Sequence, residues 1–308
     1  MALVGRPNAG KSTLLNALVG EKLSIVTARA QTTRERVLGI LTTDRSQVVF
    51  VDTPGLLEPK YRLQQAMLET ALAAVADSDL VLLLLDGTRP DELPDATAIE
   101  ALQRRAATLL VAVNKVDEAK PNAVATLKEW SRQQLGVTAR ECSAQTGVGL
   151  AELQVELESR LPVSPFFYPA DDLAVQSVRF FVGELVRETV FEQYSEEVPY
   201  ATVVRVDEFR EERDPLYIRA AIYVERDSQK PIILGRGGSA IRALGQAARM
   251  KIEDFLGRSV YLDLWVKAMP GWRNKASALQ FLGYPVPKAD GVQGTSEKQR
   301  SRKRSKND

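Results

Sequence analysis

The feature that most constrains this chain is a glycine-rich segment near its start, G-R-P-N-A-G-K-S at residues 5–12. It fits the pattern G-x-x-x-x-G-K-[ST], in which backbone N–H groups surround phosphates, the lysine reaches the outer phosphates and the hydroxyl binds Mg²⁺. One such match also occurs by chance. Here an apolar strand end precedes it and residues 12–19 predict a helix whose N-terminus faces the phosphates, so we predict a phosphate site.

A second motif, D-T-P-G at residues 52–55, follows the apolar run 48–51. Asp52 is therefore expected at the carboxyl end of a strand, where doubly wound α/β folds bind ligands. We expect Asp52 to hold Mg²⁺ through a water molecule and the Gly55 N–H to approach the γ-phosphate. Standing alone, the tetrapeptide would be an ordinary turn.

The third motif, N-K-V-D at residues 114–117, follows the strand predicted at 109–113 and concerns the base. A carboxylate at Asp117 accepts hydrogen bonds from N1 and N2 of guanine, and adenine offers no such pair of donors. Asn114 and Lys115 would fix the loop and cover the ring. In isolation the motif would be an exposed turn, but its place after a buried strand favours GTP over ATP.

Two weaker motifs complete the predicted site. Within Q-T-T-R at residues 31–34, Thr33 is the hydroxyl that we expect to bind Mg²⁺ in a switch segment, although a Thr pair alone is ordinary loop chemistry. Ser143 and Ala144 follow a short strand predicted at 138–142, and a backbone N–H there would reach guanine O6. The predicted magnesium ligands are thus Ser12, Thr33 and Asp52.

These motifs give a defined set of predicted site residues. Those assigned to catalysis are Lys11, Thr33 and Gly55. Those assigned to GTP binding are Gly5, Arg6, Pro7, Asn8, Ala9, Gly10, Lys11, Ser12, Thr13, Asp52, Thr53, Pro54, Gly55, Asn114, Lys115, Asp117, Ser143 and Ala144.

Composition excludes several other functions. The chain has no histidine, which removes Ser-His-Asp triads and histidine metal ligands, and Cys142 is its only cysteine, so no intramolecular disulfide forms and a reducing compartment is expected. The longest apolar stretch, 80–85, is too short to span a membrane, and no secretory signal is visible at Met1. We therefore expect a cytoplasmic protein.

The charge is unevenly spread although the formal net charge is only +1. Acidic residues predominate up to residue 229, whereas basic residues predominate in 230–284 and again in 285–308. Such basic segments favour a polyanionic partner. The alternative is that these charges serve solubility alone.

Strand and helix patterns alternate up to residue 161 and predict a mostly parallel sheet covered by helices on both faces. The first strand is short for a central one, and the sequence leaves open whether the native chain starts upstream of Met1. Prolines then interrupt the pattern. We divide the chain into a nucleotide domain (1–161), a linker (162–170), a second domain (171–284) and a basic, disordered tail (285–308).

The second domain contains Gly-x-x-Gly between two helical segments in the order α-β-β-α-α-β, which is typical of a KH module that clamps single-stranded RNA. A lone Gly-x-x-Gly is more often a simple turn, but the basic context favours RNA. In the tail, residues 298–306 carry basic residues and no acidic one, for which a solvated segment is the alternative to RNA contact. The predicted RNA-binding residues are Ile233, Gly235, Arg236, Gly237, Gly238 and Ile241.

The full set of motifs, with the downstream V-P-Y, I-I-L-G-R-G-G and L-D-L-W-V-K, resembles the Era family of bacterial GTPases up to about Tyr284. The resemblance implies a Ras-like P-loop GTPase domain followed by an α+β type II KH domain. It implies binding of GTP or GDP with Mg²⁺, binding of the 3′ end of 16S ribosomal RNA, and assistance in assembly of the 30S ribosomal subunit. It also implies a monomer that associates peripherally with the inner face of the cell membrane.

The resemblance has further consequences and some exceptions. Asn8 lies where similar GTPases hold K⁺, so a potassium ion is a further predicted ligand, with stabilisation of the loop as the alternative role. Leu56 follows D-T-P-G where many Ras-like proteins place a water-orienting glutamine, so slow hydrolysis is expected. Ala9 replaces a common valine, and the tail after Tyr284 is additional.

Two other interpretations remain open at this point. In one, the protein is an RNA-binding chaperone that is gated by the nucleotide, and hydrolysis is incidental. In the other, it is a tRNA-modifying GTPase of the TrmE kind, which shares the phosphate loop. The KH-like segment disfavours the second.

Overall fold

The structure is a computed structural model that describes residues 1–27, 29 and 31–286. Within these residues the first domain has a six-stranded sheet in the order β2-β3-β1-β4-β5-β6. Neighbouring strands are parallel except β2 and β3. The strands are β1 (Ala2–Gly5), β2 (Val37–Thr42), β3 (Gln47–Asp52), β4 (Val81–Asp86), β5 (Leu109–Asn114) and β6 (Arg140–Glu141).

Helices cover both faces of this sheet. Successive side chains of β4 pack into opposite cores, Leu82 and Leu84 with α1 and α5, and Val81 and Leu83 with α2, α3 and α4. Because parallel strands end at one edge, the loops after β1, β3 and β5 meet there. The helices are α1 (Lys11–Val19), α2 (Arg62–Asp77), α3 (Ala96–Gln103), α4 (Pro121–Leu135) and α5 (Leu150–Ser159).

The second domain has a three-stranded sheet, β7-β8-β9, with an antiparallel and a parallel pair. Apolar residues of α6 and α9 pack on one face of it. The order of its elements along the chain confirms the predicted α-β-β-α-α-β order and adds two short helices, α7 and α10. The elements are α6 (Val178–Gln193), α7 (Val198–Ala201), β7 (Val203–Arg210), β8 (Leu216–Val224), α8 (Lys230–Leu234), α9 (Ser239–Leu256), β9 (Val260–Ala268) and α10 (Ala276–Phe281).

The segment between the domains differs from the sequence-based expectation. The recurrence of apolar residues at Val178, Phe181 and Leu185 predicts a helix over residues 172–194. The helix α6 begins only at Val178, where the Ser177 side chain accepts from the Phe180 N–H. The residues just before α6 lie alongside strand β2, where the Ile40 N–H donates to the Leu173 carbonyl at 2.8 Å. The boundaries at 161, 170 and 284 stay predictions, and most of the predicted tail, 287–308, lies outside the described residues.

The two domains meet at a junction formed by the Q-T-T-R segment and α2. The buried Arg34 guanidinium donates to the carbonyls of Pro199, Tyr200 and Thr202 at 3.1, 3.0 and 2.7 Å. Arg187 of α6 donates to the Thr32 carbonyl. Side chains of α2 join an apolar cluster with the second domain that consists of Leu63, Met67, Val203, Ala221, Tyr223, Trp272, Ala278, Leu279 and Tyr284.

Candidate nucleotide and RNA sites

The glycine-rich segment lies between β1 and α1 and curls around the start of that helix. Gly10 has a φ of 95°, and a Cβ atom there would lie 2.2 Å from Asn114 Nδ2. The Lys11 ammonium donates to the carbonyls of Gly5 and Arg6 at 3.1 Å each, and burial lowers its pKa to about 8. The segment is therefore a tight cradle with its cation held inside.

The three predicted magnesium ligands converge beside this cradle. Ser12 Oγ donates to Asp52 Oδ2 at 2.7 Å, Thr33 Oγ1 donates to the same oxygen at 3.2 Å, and the two hydroxyls lie 2.9 Å apart. Burial raises the pKa of Asp52, which Lys11 and these hydroxyls oppose. In the described part of the chain, Asp52 Oδ1 is buried without a hydrogen-bond partner. The oxygen donor set and this unpaired atom fit a hydrated Mg²⁺ ion.

The D-T-P-G segment packs directly on the phosphate loop. Thr53 Oγ1 donates to the Leu3 carbonyl at 2.7 Å. A Cβ atom at Gly55 would lie 2.7 Å from Pro7, and the N–H of the buried Leu56 donates to the Gly5 carbonyl at 2.9 Å. These contacts join the D-T-P-G segment closely to the glycine-rich segment at residues 5–12.

Asn114 ties the N-K-V-D motif to two other segments. Its Nδ2 donates to the Ala9 carbonyl at 2.9 Å, and its Oδ1 accepts from the Ala144 N–H at 2.9 Å. Lys115 is held by Asp86 at 2.6 Å, an ion pair that the sequence did not suggest. These bonds fix the loop whose end carries Asp117.

A cavity of about 550 Å³ unites these segments. Some predicted residues lie in the surrounding framework and not on its wall: Gly5, Arg6, Ala9, Asp52, Thr53, Pro54 and Ser143. Its wall also includes residues that sequence reasoning missed, namely Ile25, Val26, Thr27, Arg89, Glu118 and Gln145. The predicted residues on the wall are Pro7, Asn8, Gly10, Lys11, Ser12, Thr13, Thr33, Gly55, Asn114, Lys115, Asp117 and Ala144.

The Gly-x-x-Gly segment joins α8 to α9 on the helical side of the second sheet. Arg236 and Gly237 are exposed, and Gly237 and Gly238 have φ values of 57° and 77°. Ile233, predicted to border an RNA groove, is fully buried, and its carbonyl accepts from the Tyr194 hydroxyl at 3.0 Å. Ile241 is half-buried.

Two neighbours of Ile233 offer the apolar surface instead. Ile232 and Leu234 are 48% and 37% exposed. One turn of α8 turns Ile233 into the core and its neighbours outward, which the sequence run of three apolar residues did not reveal.

Comparisons with known proteins agree with both halves of this description. A family model described as 50S ribosome-binding GTPase matches residues 1–115, and a KH domain model matches residues 197–273. An Era variant from Aquifex aeolicus, crystallised with GDP·AlF4⁻, is 34% identical, covers 92% of this chain and 98% of that chain, and has a TM-score of 0.85.

A second crystal structure shows Era in complex with MgGDPNP and nucleotides 1506–1542 of 16S ribosomal RNA, and the sequence of that protein is 35% identical to this chain. It covers 92% of this chain and 98% of that chain at a TM-score of 0.87. The predicted fold class, a Ras-like P-loop GTPase domain followed by a KH domain, is thereby confirmed. The chain belongs to the Era family of GTPases.

Proposed function

We propose that the protein binds and hydrolyses GTP and uses Mg²⁺ to do so. The observation that carries this proposal is the single cavity in which the phosphate loop, the D-T-P-G segment and the N-K-V-D loop meet. Its support is the membership of a GTPase family whose solved structures hold GDP·AlF4⁻ and MgGDPNP. Chance motifs would not converge from positions 5, 52 and 114 on one pocket.

Each residue has a defined task in this proposal. Ser12 and Thr33 would bind Mg²⁺ directly, and Asp52 would hold it through a water molecule. Bound Mg²⁺ neutralises charge on the β- and γ-phosphates. Lys11 would release its two carbonyl partners and take the phosphates, and Asp117 would accept from guanine.

Turnover is slow in this proposal because Leu56 is buried and apolar and cannot orient the attacking water. Asn8, on the cavity wall with a φ of 65°, is proposed to hold K⁺ beside the phosphates. If so, GTP turnover with K⁺ exceeds turnover with Na⁺, and Asn8→Ala removes the difference. Equal turnover with both ions in the parent protein would contradict the potassium site.

Calorimetry tests the nucleotide proposal directly. We expect GDP and GTP to bind in the presence of Mg²⁺ and ATP to bind at least 100-fold more weakly, since about two charge-assisted hydrogen bonds to the base are lost. Chelation of Mg²⁺ should weaken GTP binding. Equal affinities for ATP and GTP would refute the assignment.

We also propose that the KH domain binds the 3′ end of 16S ribosomal RNA and that the protein assists assembly of the 30S subunit. The support is an Era structure of 35% identity that contains this RNA. In this chain Arg236 and Gly237 form the exposed tip of the Gly235–Gly238 loop and would offer their backbone N–H groups to phosphate, whereas the N–H groups of Gly235 and Gly238 donate to carbonyls of Pro231 and Gly235. The RNA would lie against Ile232 and Leu234 beside that loop.

The test is a measurement of RNA binding by the double variant Arg236→Asp, Gly237→Asp. Both positions are exposed, so carboxylates there repel phosphate without disturbing the core. The matched control is Arg132→Asp, Gly136→Asp, which places the same charges at another exposed glycine of positive φ with no neighbour within 4 Å. Undiminished RNA binding by the first pair, with GDP binding intact, would remove the loop from the RNA site.

The cellular setting is part of the same proposal. Within residues 1–27, 29 and 31–286, no helix combines the length and apolar character needed to cross a membrane. We propose a cytoplasmic monomer that associates peripherally with the inner face of the cell membrane. Fractionation with and without ribosomal RNA, together with light scattering, tests location and oligomeric state.

Finally, we propose that the nucleotide state sets RNA affinity through the domain junction. Thr33 would bind Mg²⁺, while its neighbours Thr32 and Arg34 bond to the KH domain. A ligand shifts an equilibrium between two conformations only if it binds them with different affinity. The Q-T-T-R segment contacts both the nucleotide cavity and the KH domain. RNA affinity measured with GDP and with a non-hydrolysable GTP analogue should differ about 5- to 150-fold. If exchange of the bound nucleotide is enough to release the RNA and GTP hydrolysis is not required, the alternative of a nucleotide-gated RNA chaperone is favoured.

A further inference from the structure

The outer face of the KH sheet carries an exposed cluster of aromatic and arginine side chains. The inner face of β7, β8 and β9 packs under α6 and α9, and alternate side chains point away from it. Tyr261 and Trp265 on β9 are 59% and 53% exposed. We call this cluster the sheet patch; its members are Arg210, Arg213, Tyr217, Arg219, Tyr261 and Trp265.

One row of the sheet patch crosses all three strands. Arg210, Tyr217 and Tyr261 are register partners on β7, β8 and β9. The two tyrosine rings stack with centroids 5.8 Å apart and planes at 13°. The guanidinium groups of Arg210 and Arg213 lie 5.3 and 5.4 Å from the Tyr217 centroid. The row is therefore a continuous series of rings and planar cations.

A single carboxylate fixes the orientation of the neighbouring side chains. Asp263 Oδ2 accepts from the Tyr217 hydroxyl, Arg219 Nε and Trp265 Nε1, each at 3.0 Å. These bonds hold the two rings and the guanidinium in place before any ligand arrives. Less conformational entropy is therefore lost when a partner binds.

The sheet patch combines exposed rings with planar cations. Arg219 pairs with Glu208 and Asp263, and Arg210 pairs with Glu208, whereas Arg213, which Glu212 and Asp214 flank in the chain, has no ion pair in the part of the chain that the structure describes. Exposed planar rings beside cations are the combination that binds single-stranded nucleic acid, since every base has a face to stack and every phosphate a charge to meet. A protein partner would instead require a larger apolar centre and fewer charges.

We propose that the sheet patch is a second binding surface for single-stranded RNA, separate from the Gly235–Gly238 loop. The loop lies on the helical side of the sheet and the patch on the opposite side, so one short strand cannot occupy both. The proposal rests on the proposed RNA-binding function for its class of partner. It adds that a longer strand contacts both sides of the domain, with bases stacked on Tyr261 and Trp265.

The test uses the full chain with GDP and a labelled uridine dodecamer, which has no fold of its own. Tyr261→Ala and Trp265→Ala should each weaken binding roughly 10-fold, as loss of one stacked base does. Tyr261→Phe and Trp265→Phe, which keep a ring, should retain most of the affinity. Phe167→Ala is the matched control, because Phe167 is 71% exposed but lies outside the patch.

A direct readout comes from the indole itself. Stacking of bases on Trp265 should quench tryptophan fluorescence on titration with the dodecamer, and the quenching should disappear in Trp265→Phe. Trp272 is fully buried and should not respond. Absence of quenching together with unchanged affinity of both alanine variants, folded and able to bind GDP, would overturn the proposal.

Combining the variants separates this proposal from the KH-loop proposal. If only Arg236→Asp, Gly237→Asp weakens binding, the loop is supported and the patch refuted. If only the alanine variants of the patch weaken it, the patch is supported and the loop refuted. Losses in both, with a greater loss for the combination, support both surfaces; no loss in either refutes both.

Discussion

The phosphate loop and the KH loop are both glycine-rich segments that lead into a helix, yet glycine serves different ends in them. In the phosphate loop, Cβ atoms at Gly5 and Gly10 would lie 2.4 Å and 2.2 Å from neighbouring atoms. In the KH loop, a Cβ atom at Gly235 would also lie close to a neighbour, 2.6 Å from Ala240 Cβ, but at the exposed Gly237 it would meet nothing within 4 Å. Glycine is therefore needed for space in the phosphate loop and at Gly235, and for its backbone conformation at Gly237.

The difference fits the ligand that each loop is proposed to hold. A nucleotide held in a cavity requires a rigid, fully packed cradle, because misplacement of its phosphates by about 1 Å costs catalysis. A strand that passes along an open surface requires only accessible N–H groups. Substitutions should therefore have large effects at Gly10 of the first loop and small effects at Gly237, the exposed tip of the second.

The largest expected effect is that of Gly10→Ala. The new methyl group would displace Asn114 Nδ2 and break its bond to the Ala9 carbonyl, so both the phosphate loop and the base loop should shift. We expect GDP affinity to fall by more than about 100-fold, as for loss of a buried hydrogen-bond network of roughly 3 kcal/mol or more. Calorimetry measures this.

Gly20→Ala is the matched control, because Gly20 also has a positive φ, 84°, but no neighbour within 4 Å. It should reduce stability slightly and leave GDP affinity almost unchanged. Similar losses of affinity in the two variants would mean that backbone strain alone, and not packing against Asn114, explains the glycine.

A second large effect concerns the base. Asp117→Asn should weaken GTP binding by about 100-fold, since it removes a charge-assisted acceptor for guanine. It should strengthen binding of xanthosine nucleotides, whose carbonyl replaces the guanine amino group and accepts from an amide. Competition assays with both nucleotides measure the change. Parallel losses for the two nucleotides would show that the substitution disturbs the loop and not the base contact.

An intermediate effect is expected where the two domains meet, at Arg34. This side chain is 5% exposed and satisfies three carbonyls of the KH domain. Arg34→Ala leaves these acceptors unpaired and should cost about 3 kcal/mol of stability. The dependence of RNA affinity on nucleotide state should shrink by about 10-fold, while GDP affinity should change little.

Arg36→Ala is the control for Arg34→Ala. Arg36 donates to the Thr70 carbonyl within the GTPase domain at 3.1 Å, so its loss should leave the dependence on nucleotide state intact. Chemical denaturation and RNA binding with two nucleotides make the comparison. Unaltered dependence in Arg34→Ala would show that the domains communicate by another route.

The success of sequence reasoning also differs between the two regions. The phosphate-binding motifs were placed correctly at strand ends because each is short, local and next to a buried strand. The ion pair of Lys115 with Asp86 was missed, since nothing in the spacing of these residues shows that their strands are neighbours. Arg89 was missed on the cavity wall for the same reason.

In the KH domain the order of helices and strands was predicted, but which side chains are exposed on its surface was not. Three consecutive apolar residues, Ile232, Ile233 and Leu234, do not reveal which one turns inward, because that depends on how α8 docks on the sheet. The junction was also beyond the sequence, since Arg34 and Thr202 are 168 residues apart. The local sequence pattern predicts helices and strands, whereas contacts between distant residues depend on how those helices and strands pack together.

The smallest expected effect tests the conformational requirement of the KH loop. Gly237 has a φ of 57° and open space around it. Gly237→Ala should therefore cost only the strain of a left-handed alanine, roughly 1 kcal/mol, and weaken RNA binding about 5-fold. Gly237→Asn should stay closer to the parent, because asparagine tolerates this conformation better. Fluorescence anisotropy with the ribosomal RNA 3′ end, at fixed salt, resolves these differences, and GDP affinity should be unchanged in both. A loss in Gly237→Ala as large as that in Gly10→Ala would break the contrast between these two glycines, because the tip of the KH loop would then also be closely packed.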